Sequence, residues 1–288
     1  MEFTIENIPK ILARLVGVSK LDLSDLTWIE PIGLGIVKAL KDSINAPVVP
    51  PHNHSVLQYL DIMNLEEGSE AFPGRTYVPL HVLSNAAEIE SITQKTVEKI
   101  LLNEDFCRLS PTDADDFKDY LKYTISEMLD NAVEHSESNG VVSCAQYFPK
   151  RKKTQVAIVD TGMGFFRTIS RNHPQVKNET EALELSLKAG VTGDQSRLYG
   201  VAQRHAGYGL YVLSKIIDAT DGFLIMVSNN GMLIYKNGRT TLSTLSTQWT
   251  GSMVAFEINE SEINYPLDQF FRIYIYPTEE QESEDEMF

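Results

Sequence analysis

Residues 126–135 read SEMLDNAVEH, and the spacing within this stretch decides how the rest of the chain is read. Glu127, Asn131 and His135 recur every four residues, which on a helix sets them in one polar stripe. Leu121, Ile125, Met128 and Ala132 recur at three- and four-residue spacing on another face, so the segment is expected to be an amphipathic helix. A solvated helix face would carry the same polar residue types. The stripe also has a chemistry of its own, because a carboxylate one turn from an amide suits water activation beside a metal. Glu127 could polarise a nucleophilic water, and the neutral, hard carbonyl oxygen of Asn131 could ligate a magnesium ion that already carries phosphate oxygens.

Two segments downstream extend that chemistry. Residues 155–165, QVAIVDTGMGF, are an apolar β-branched run that ends at Asp160 and gives way to Gly162 and Gly164, a strand emptying into a flexible loop. A partly buried carboxylate at such a strand end can accept a hydrogen bond from an exocyclic amine, and the glycines let backbone approach a flat ring; adenine satisfies both. In residues 206–217, AGYGLYVLSKII, Gly207, Tyr208, Gly209 and Leu210 lead into an apolar-periodic helix, where backbone amides can hold phosphate. Each glycine pair by itself is also what an ordinary turn contains.

In this order and spacing the three segments resemble the nucleotide-binding boxes of the GHKL superfamily, which joins gyrase-type topoisomerases, heat-shock chaperones, histidine kinases and mismatch-repair ATPases. The resemblance runs from about residue 117 to residue 259. It implies a Bergerat-type α/β sandwich with a mixed, mainly antiparallel sheet and helices on one face, with ATP and Mg2+ as cofactors. Glu127, Asp130, Asn131 and His135 match the first box, with Glu127 in the place of the general base, Asn131 in that of the magnesium ligand, and His135 near phosphate or lid. Asp160, Gly162 and Gly164 match the second, Asp160 standing where adenine is bound. Gly207, Tyr208, Gly209 and Leu210 match the third, which closes over the phosphates. Residues 249–258, WTGSMVAFEI, look like the last glycine-plus-strand element, with Gly251 and Ser252 where Gly-Thr is common.

The nucleotide lid would then be residues 166–206, with a short helix expected at 181–188 and a glycine-rich, polar remainder. Lys188, Arg197, Arg204 and His205 are candidates for a cation closing on the γ-phosphate, or are solvated loop charges.

The first part of the chain carries a second resemblance. Residues 20–40, KLDLSDLTWIEPIGLGIVKAL, place a strand-like alternation before a turn at Glu30 and Pro31 and an apolar helix from Ile32 onward. Residues 46–50 are expected to form a second strand and residues 56–65 a second amphipathic helix. This order resembles the core of a STAS domain, the fold of anti-sigma antagonists. Those proteins present a serine at the turn for phosphorylation, whereas this turn has no hydroxyl, which implies a docking or sensing module. Glu30 could imitate a phosphoserine charge or belong to a plain structural turn.

The expected layout is therefore a two-domain α/β protein, with a STAS-like domain over 1–78, a helical connector over 79–116, a GHKL ATP-binding domain over 117–262, and an aromatic segment with an acidic, solvated tail over 263–288. A formal charge of −15, with a single basic run at 150–153 that reads as a hairpin turn, disfavours direct nucleic-acid binding. Cys107 and Cys144 form no CxxC pair, and with neither a signal peptide nor an apolar run of membrane length the expectation is a cytoplasmic protein, not a membrane one. His52, Asn53 and His54 follow two prolines and read as loop more than as metal site.

The functional expectation is a Mg-ATP-binding ATPase that acts as a regulatory switch, its lid closure altering association with a protein partner or with a second copy in a homodimer. An anti-sigma-type protein serine kinase acting on a STAS protein, and a non-catalytic ATP-sensing adaptor, are the alternatives. A histidine-kinase role is disfavoured because residues 80–116 hold only His81 and no coiled-coil heptads.

Overall fold

The strand run 155–160 and its neighbours build the centre of the molecule. The computed structural model describes residues 1–66, 76–101, 111–135, 140–191 and 209–259. The chain enters through β1 (Glu2–Phe3), α1 (Ile8–Leu15), β2 (Leu21–Asp22), β3 (Trp28–Ile29), α2 (Pro31–Ile44), β4 (Val48–Val49) and α3 (His54–Ile62). It continues through β5 (Tyr77–Leu83), α4 (Ile89–Leu101), α5 (Pro111–His135), β6 (Val141–Phe148) and β7 (Lys153–Asp160). The last elements are α6 (Phe165–Ile169), α7 (Glu179–Ser186), α8 (Gly209–Ala219), β8 (Phe223–Ser228), β9 (Gly231–Lys236), β10 (Arg239–Thr244) and β11 (Ser252–Asn259).

Seven strands form one sheet in the order β10-β9-β8-β11-β7-β6-β5. Every pairing in it is antiparallel, which corrects the expectation of a mixed sheet. For three of the six pairings the reason is local: β6–β7, β8–β9 and β9–β10 are joined by tight hairpins, and a hairpin can only make antiparallel neighbours. The basic run 150–153 forms the first of these turns, with Arg151 N donating to Phe148 O at 3.0 Å and Lys152 at φ 49°. Among the described residues, parallel pairing occurs only in two-residue contacts, β1 with β3 and β2 with β4.

The central strands are apolar on both faces because both faces are covered. Val156 and Ile158 of β7, with Phe256 and Ile258 of β11, join one core with Leu121, Ile125 and Leu129 of α5 and Leu213 and Ile217 of α8. Ala157 and Val159, with Ala255, Val142 and Cys144, join another with Ile32, Ile36 and Leu40 of α2 and with apolar residues of α1 and α3. The helices of the nucleotide-box region thus lie on one face, while α2 crosses β6 and β7 on the other. Gly35 permits that crossing, since a Cβ there would lie 2.8 Å from Val159 Cγ2.

In the expected STAS-like region, the strand-like alternation of residues 21–29 is broken into β2 and β3, and the helix begins at Pro31, whose fixed φ and missing N–H suit a first helical position. β4 and α3 fall where a strand and a helix are expected, and Asn53 caps α3 by accepting from Ser55 N and Val56 N. The boundary expected at residue 78 falls inside β5, which pairs with β6 at the sheet edge, so the connector region contributes a strand before α4.

Glu30 is 2% exposed, and its oxygens are engaged inside the molecule. Oε2 accepts from Ile5 N at 3.0 Å and from Gln155 Nε2 at 3.1 Å, and Oε1 lies 3.2 Å from Arg151. Gln155 Nε2 also donates to Glu257 Oε1 at 2.9 Å, and that carboxylate pairs with Lys153 at 2.6 Å. Of the two readings of Glu30 the structural one holds, because a carboxylate so enclosed presents no charge to a partner. Burial also pushes the Cys144 thiol far above its usual range, and its Sγ donates to Pro31 O at 3.2 Å. Cys107 and the segment 263–288 lie outside the described residues. Among the described residues no helix is long and apolar enough to cross a membrane.

Candidate functional site

The polar stripe of α5 is positioned by the apolar one. Leu121, Ile125, Met128 and Leu129 are buried against the sheet, and this rotates Glu127 and Asn131 to a half-buried position on the flank. α8 anchors in the same core through Leu210, Val212, Leu213, Ile216 and Ile217, and its first residue is Gly209. A methyl group placed on Gly209 would lie 2.8 Å from Glu127 Oε2, 3.2 Å from Glu127 Cβ and 3.3 Å from Asn131 Nδ2. Only a residue without a side chain lets the α8 N-terminus come this close, and it brings the helix's first amides beside a carboxylate and a carboxamide.

Asp160 closes β7 and alternates onto the same face as Val156 and Ile158, the face of α5 and α8. It is 2% exposed. Oδ1 accepts from Gly162 N at 2.8 Å, and the Ser252 hydroxyl donates to Oδ2. Trp249 Nε1 donates to the Asp160 carbonyl at 2.9 Å. Gly251, at φ 103°, seals the junction, for a Cβ there would lie 2.4 Å from Asp160 O and 2.5 Å from Gly162 N. Burial raises the Asp160 carboxyl above the ordinary carboxylate range, while the Ser252 hydroxyl and the Gly162 amide pull it back down. Each carboxylate oxygen has a second lone pair, so the group can still accept from an amine.

Gly164, at φ 77°, ends the second box and precedes α6, and a Cβ there would lie 2.7 Å from both Ser228 Oγ and Asn229 Nδ2. α7 starts at Glu179, two residues before the expected lid helix, because Asn178 caps it by accepting from Glu181 N at 3.0 Å. α6 and α7 share a small core of Ile169, Val176 and Ala182, and α7 rests on β9.

The structure therefore brings together Glu127, Asn131, Gly209 and Leu210, and separately seats Asp160 with Gly162 on the same face of the sheet, with Gly164 leading out of that loop. Lys188 is exposed in the turn after α7. Gly207, Tyr208, Arg197, Arg204 and His205 lie outside the described residues, as does the side chain of His135, whose backbone ends α5. Sequence reasoning assigns no role to Trp249, Ser228, Asn229 or Glu179. For Trp249 a signal exists, an aromatic N–H donor one turn before an apolar strand; for the others it does not, since their partners are far away in sequence.

Among the described residues no three His, Cys, Asp or Glu side chains are grouped to hold a metal. The donor set at Asn131 fits a magnesium ion that takes most of its oxygens from phosphate and water, which is how that ion is usually held beside nucleotides. No protein-family model matches the chain, and no curated protein matches it significantly.

Proposed function

We propose that the chain binds Mg-ATP in the manner of a GHKL-type ATPase and serves as a nucleotide-controlled regulatory protein. The observation that carries this reading is the abutment of Gly209 on Glu127 and Asn131, which joins the first and third boxes in space although 82 positions separate Gly209 from Glu127. On this reading Asp160 accepts the exocyclic amine of adenine, the first amides of α8 face the phosphates, and the Asn131 carbonyl holds the metal. Bound magnesium would supply neutralisation of phosphate charge. Glu127 takes the proton of the attacking water as that water closes on the γ-phosphate, and its half-buried position limits competing solvent. In this reading the elements of residues 1–65 are a STAS-like docking or sensing module, and lid closure alters the contact with a protein partner or a second copy of the chain, in the cytoplasm.

The test is calorimetry with ATP, with and without magnesium, beside a phosphate-release assay on the same preparation. Magnesium-dependent binding is expected, and Glu127→Ala should keep that binding while turnover falls by about a hundredfold or more. Turnover unchanged in Glu127→Ala would remove Glu127 as base. Absence of binding by the parent chain would overturn the reading.

A further inference from the structure

The two glycines of the second box bring no side chains of their own to fix its loop, yet the far end of that loop is held from outside. Phe165 N and Phe166 N are the first free amides of α6, and both are taken. Phe165 N donates to Ser228 Oγ at 2.7 Å, and Phe166 N donates to Glu179 Oε2 at 3.2 Å. The Ser228 hydroxyl donates to the same Oε2 at 2.6 Å, and the Asn229 side-chain amide donates to Oε1. One carboxylate at the start of α7 thus ties the exit of the glycine loop to the β8–β9 turn, through donors that are all neutral. Gly231 lets it reach there, since a Cβ on Gly231 would lie 2.7 Å from Glu179 Cβ.

We infer that Glu179 is the positioning residue of the nucleotide pocket, a latch that fixes the Gly162–Gly164 loop from its far end as the Asp160–Gly162 bond fixes it from the near end. The inference rests on the ATP-binding reading. It also divides the segment expected to be lid: α6 and α7 are its fixed root, pinned by the latch, by their shared core and by β9. A loop held at both ends presents its backbone to the ring without first losing conformational freedom, so the latch acts on affinity. Its bonds go to Phe166, Ser228 and Asn229, so its loss is expected to leave the chemical step at Glu127 alone.

Glu179→Gln keeps the shape but replaces one acceptor oxygen with a donor, which then faces either Asn229 Nδ2 or the Phe166 and Ser228 donors. The expected result is ATP and ADP affinities both weakened about tenfold with kcat within about twofold of the parent. Adding Asn229→Asp restores a matched pair with its polarity reversed, and should bring affinity back to within about threefold of the parent. Should Glu179→Gln fail to fold, Ser228→Ala removes only the bridging hydroxyl and is expected to weaken both nucleotides in the same direction. Nucleotide affinity unchanged in a folded Glu179→Gln, or a fall in kcat at unchanged KM, overturns the latch alone. A parent chain that binds no ATP overturns the latch together with the reading beneath it.

Discussion

On one face of the sheet, Val156, Ile158 and Asp160 of β7 look toward α5 and α8; on the other, Gln155, Ala157 and Val159 of the same strand look toward α2. The glycines on these two faces meet different things. Gly35 abuts side-chain carbon of Val159, and Gly33 abuts side-chain carbons of Phe3 and Ile29 together with the Phe3 carbonyl oxygen, so both serve close packing. Gly209, Gly251 and Gly164 abut carboxylate, carboxamide, hydroxyl and backbone polar atoms. The polar side chains differ in the same sense: Glu30, Gln155 and Glu257 bond one another in a buried chain, whereas Glu127 and Asn131 stand half-buried beside a helix start. The close approach at Gly209 to a carboxylate and a carboxamide is what the ATP-binding proposal builds on; the close approach at Gly35 to side-chain carbon serves packing.

The largest effect should come from separating the faces. A chain beginning at residue 76 would uncover Val142, Cys144, Ala157, Val159, Ile225, Val227, Met253 and Ala255, all buried beneath residues 1–65. Sheet faces so exposed aggregate, and the expected outcome is a fragment that gives no cooperatively melting monomer on size exclusion and thermal denaturation. A soluble, cooperatively folding fragment would show instead that the two regions are independent domains.

Next in size is a matched pair of glycine substitutions. Gly209→Ala should abolish nucleotide binding, because the methyl group displaces the carboxylate and carboxamide it meets. Gly35→Ala faces the same crowding against Val159 and should cost about 2 kcal/mol of stability with nucleotide affinity unchanged in the folded protein. Calorimetry and denaturant melts on both variants check this, and equal effects on affinity would erase the distinction between the faces.

The smallest effects compare the two enclosed carboxylates. Glu30→Ala leaves Ile5 N without its acceptor and the Gln155 amide with Glu257 alone, and should lower stability by about 2 kcal/mol, with ATP affinity unchanged. Asp160→Asn should do the reverse, losing ATP while melting at or above the parent temperature at pH 7. Burial raises the Asp160 carboxyl, so its contribution to stability is present at low pH and lost as pH rises through the folded value. The advantage of Asp160→Asn should therefore shrink as pH falls and be gone below about pH 3, where the carboxyl is protonated whether folded or not. A melting temperature well below the parent's at pH 7 would assign Asp160 to the fold instead.

What is legible in the sequence follows the distance over which each pattern is written. The α5 stripe is legible because four-residue spacing is one helical turn, and the loop after Asp160 because glycines directly follow an apolar run. The hairpin at 150–153 and the strand–turn–helix order near Glu30 are local in the same way. The face on which residues 1–65 would lie is not legible. It depends on bonds such as Ile32 N to Gln155 Oε1, across 123 positions, and Cys144 Sγ to Pro31 O, across 113. Glu179 escapes for the same reason, since Ser228 lies 49 positions beyond it and nothing near Glu179 foretells the contact. Glu30 shows the local limit: a charged residue before proline looks like a surface turn until the chain folds over it.

The alternation along β7 also bears on how this chain can change through descent. One residue inserted between Lys153 and Gln155 would hand Asp160 to α2 and swing Gln155 out from between Glu30 and Glu257, exchanging the tasks of both sides at a single stroke. Lineages of this protein should therefore vary in length at the 149–152 turn and keep the count from 153 to 160 fixed, so that where the gaps fall would identify a relative even after most side chains had diverged.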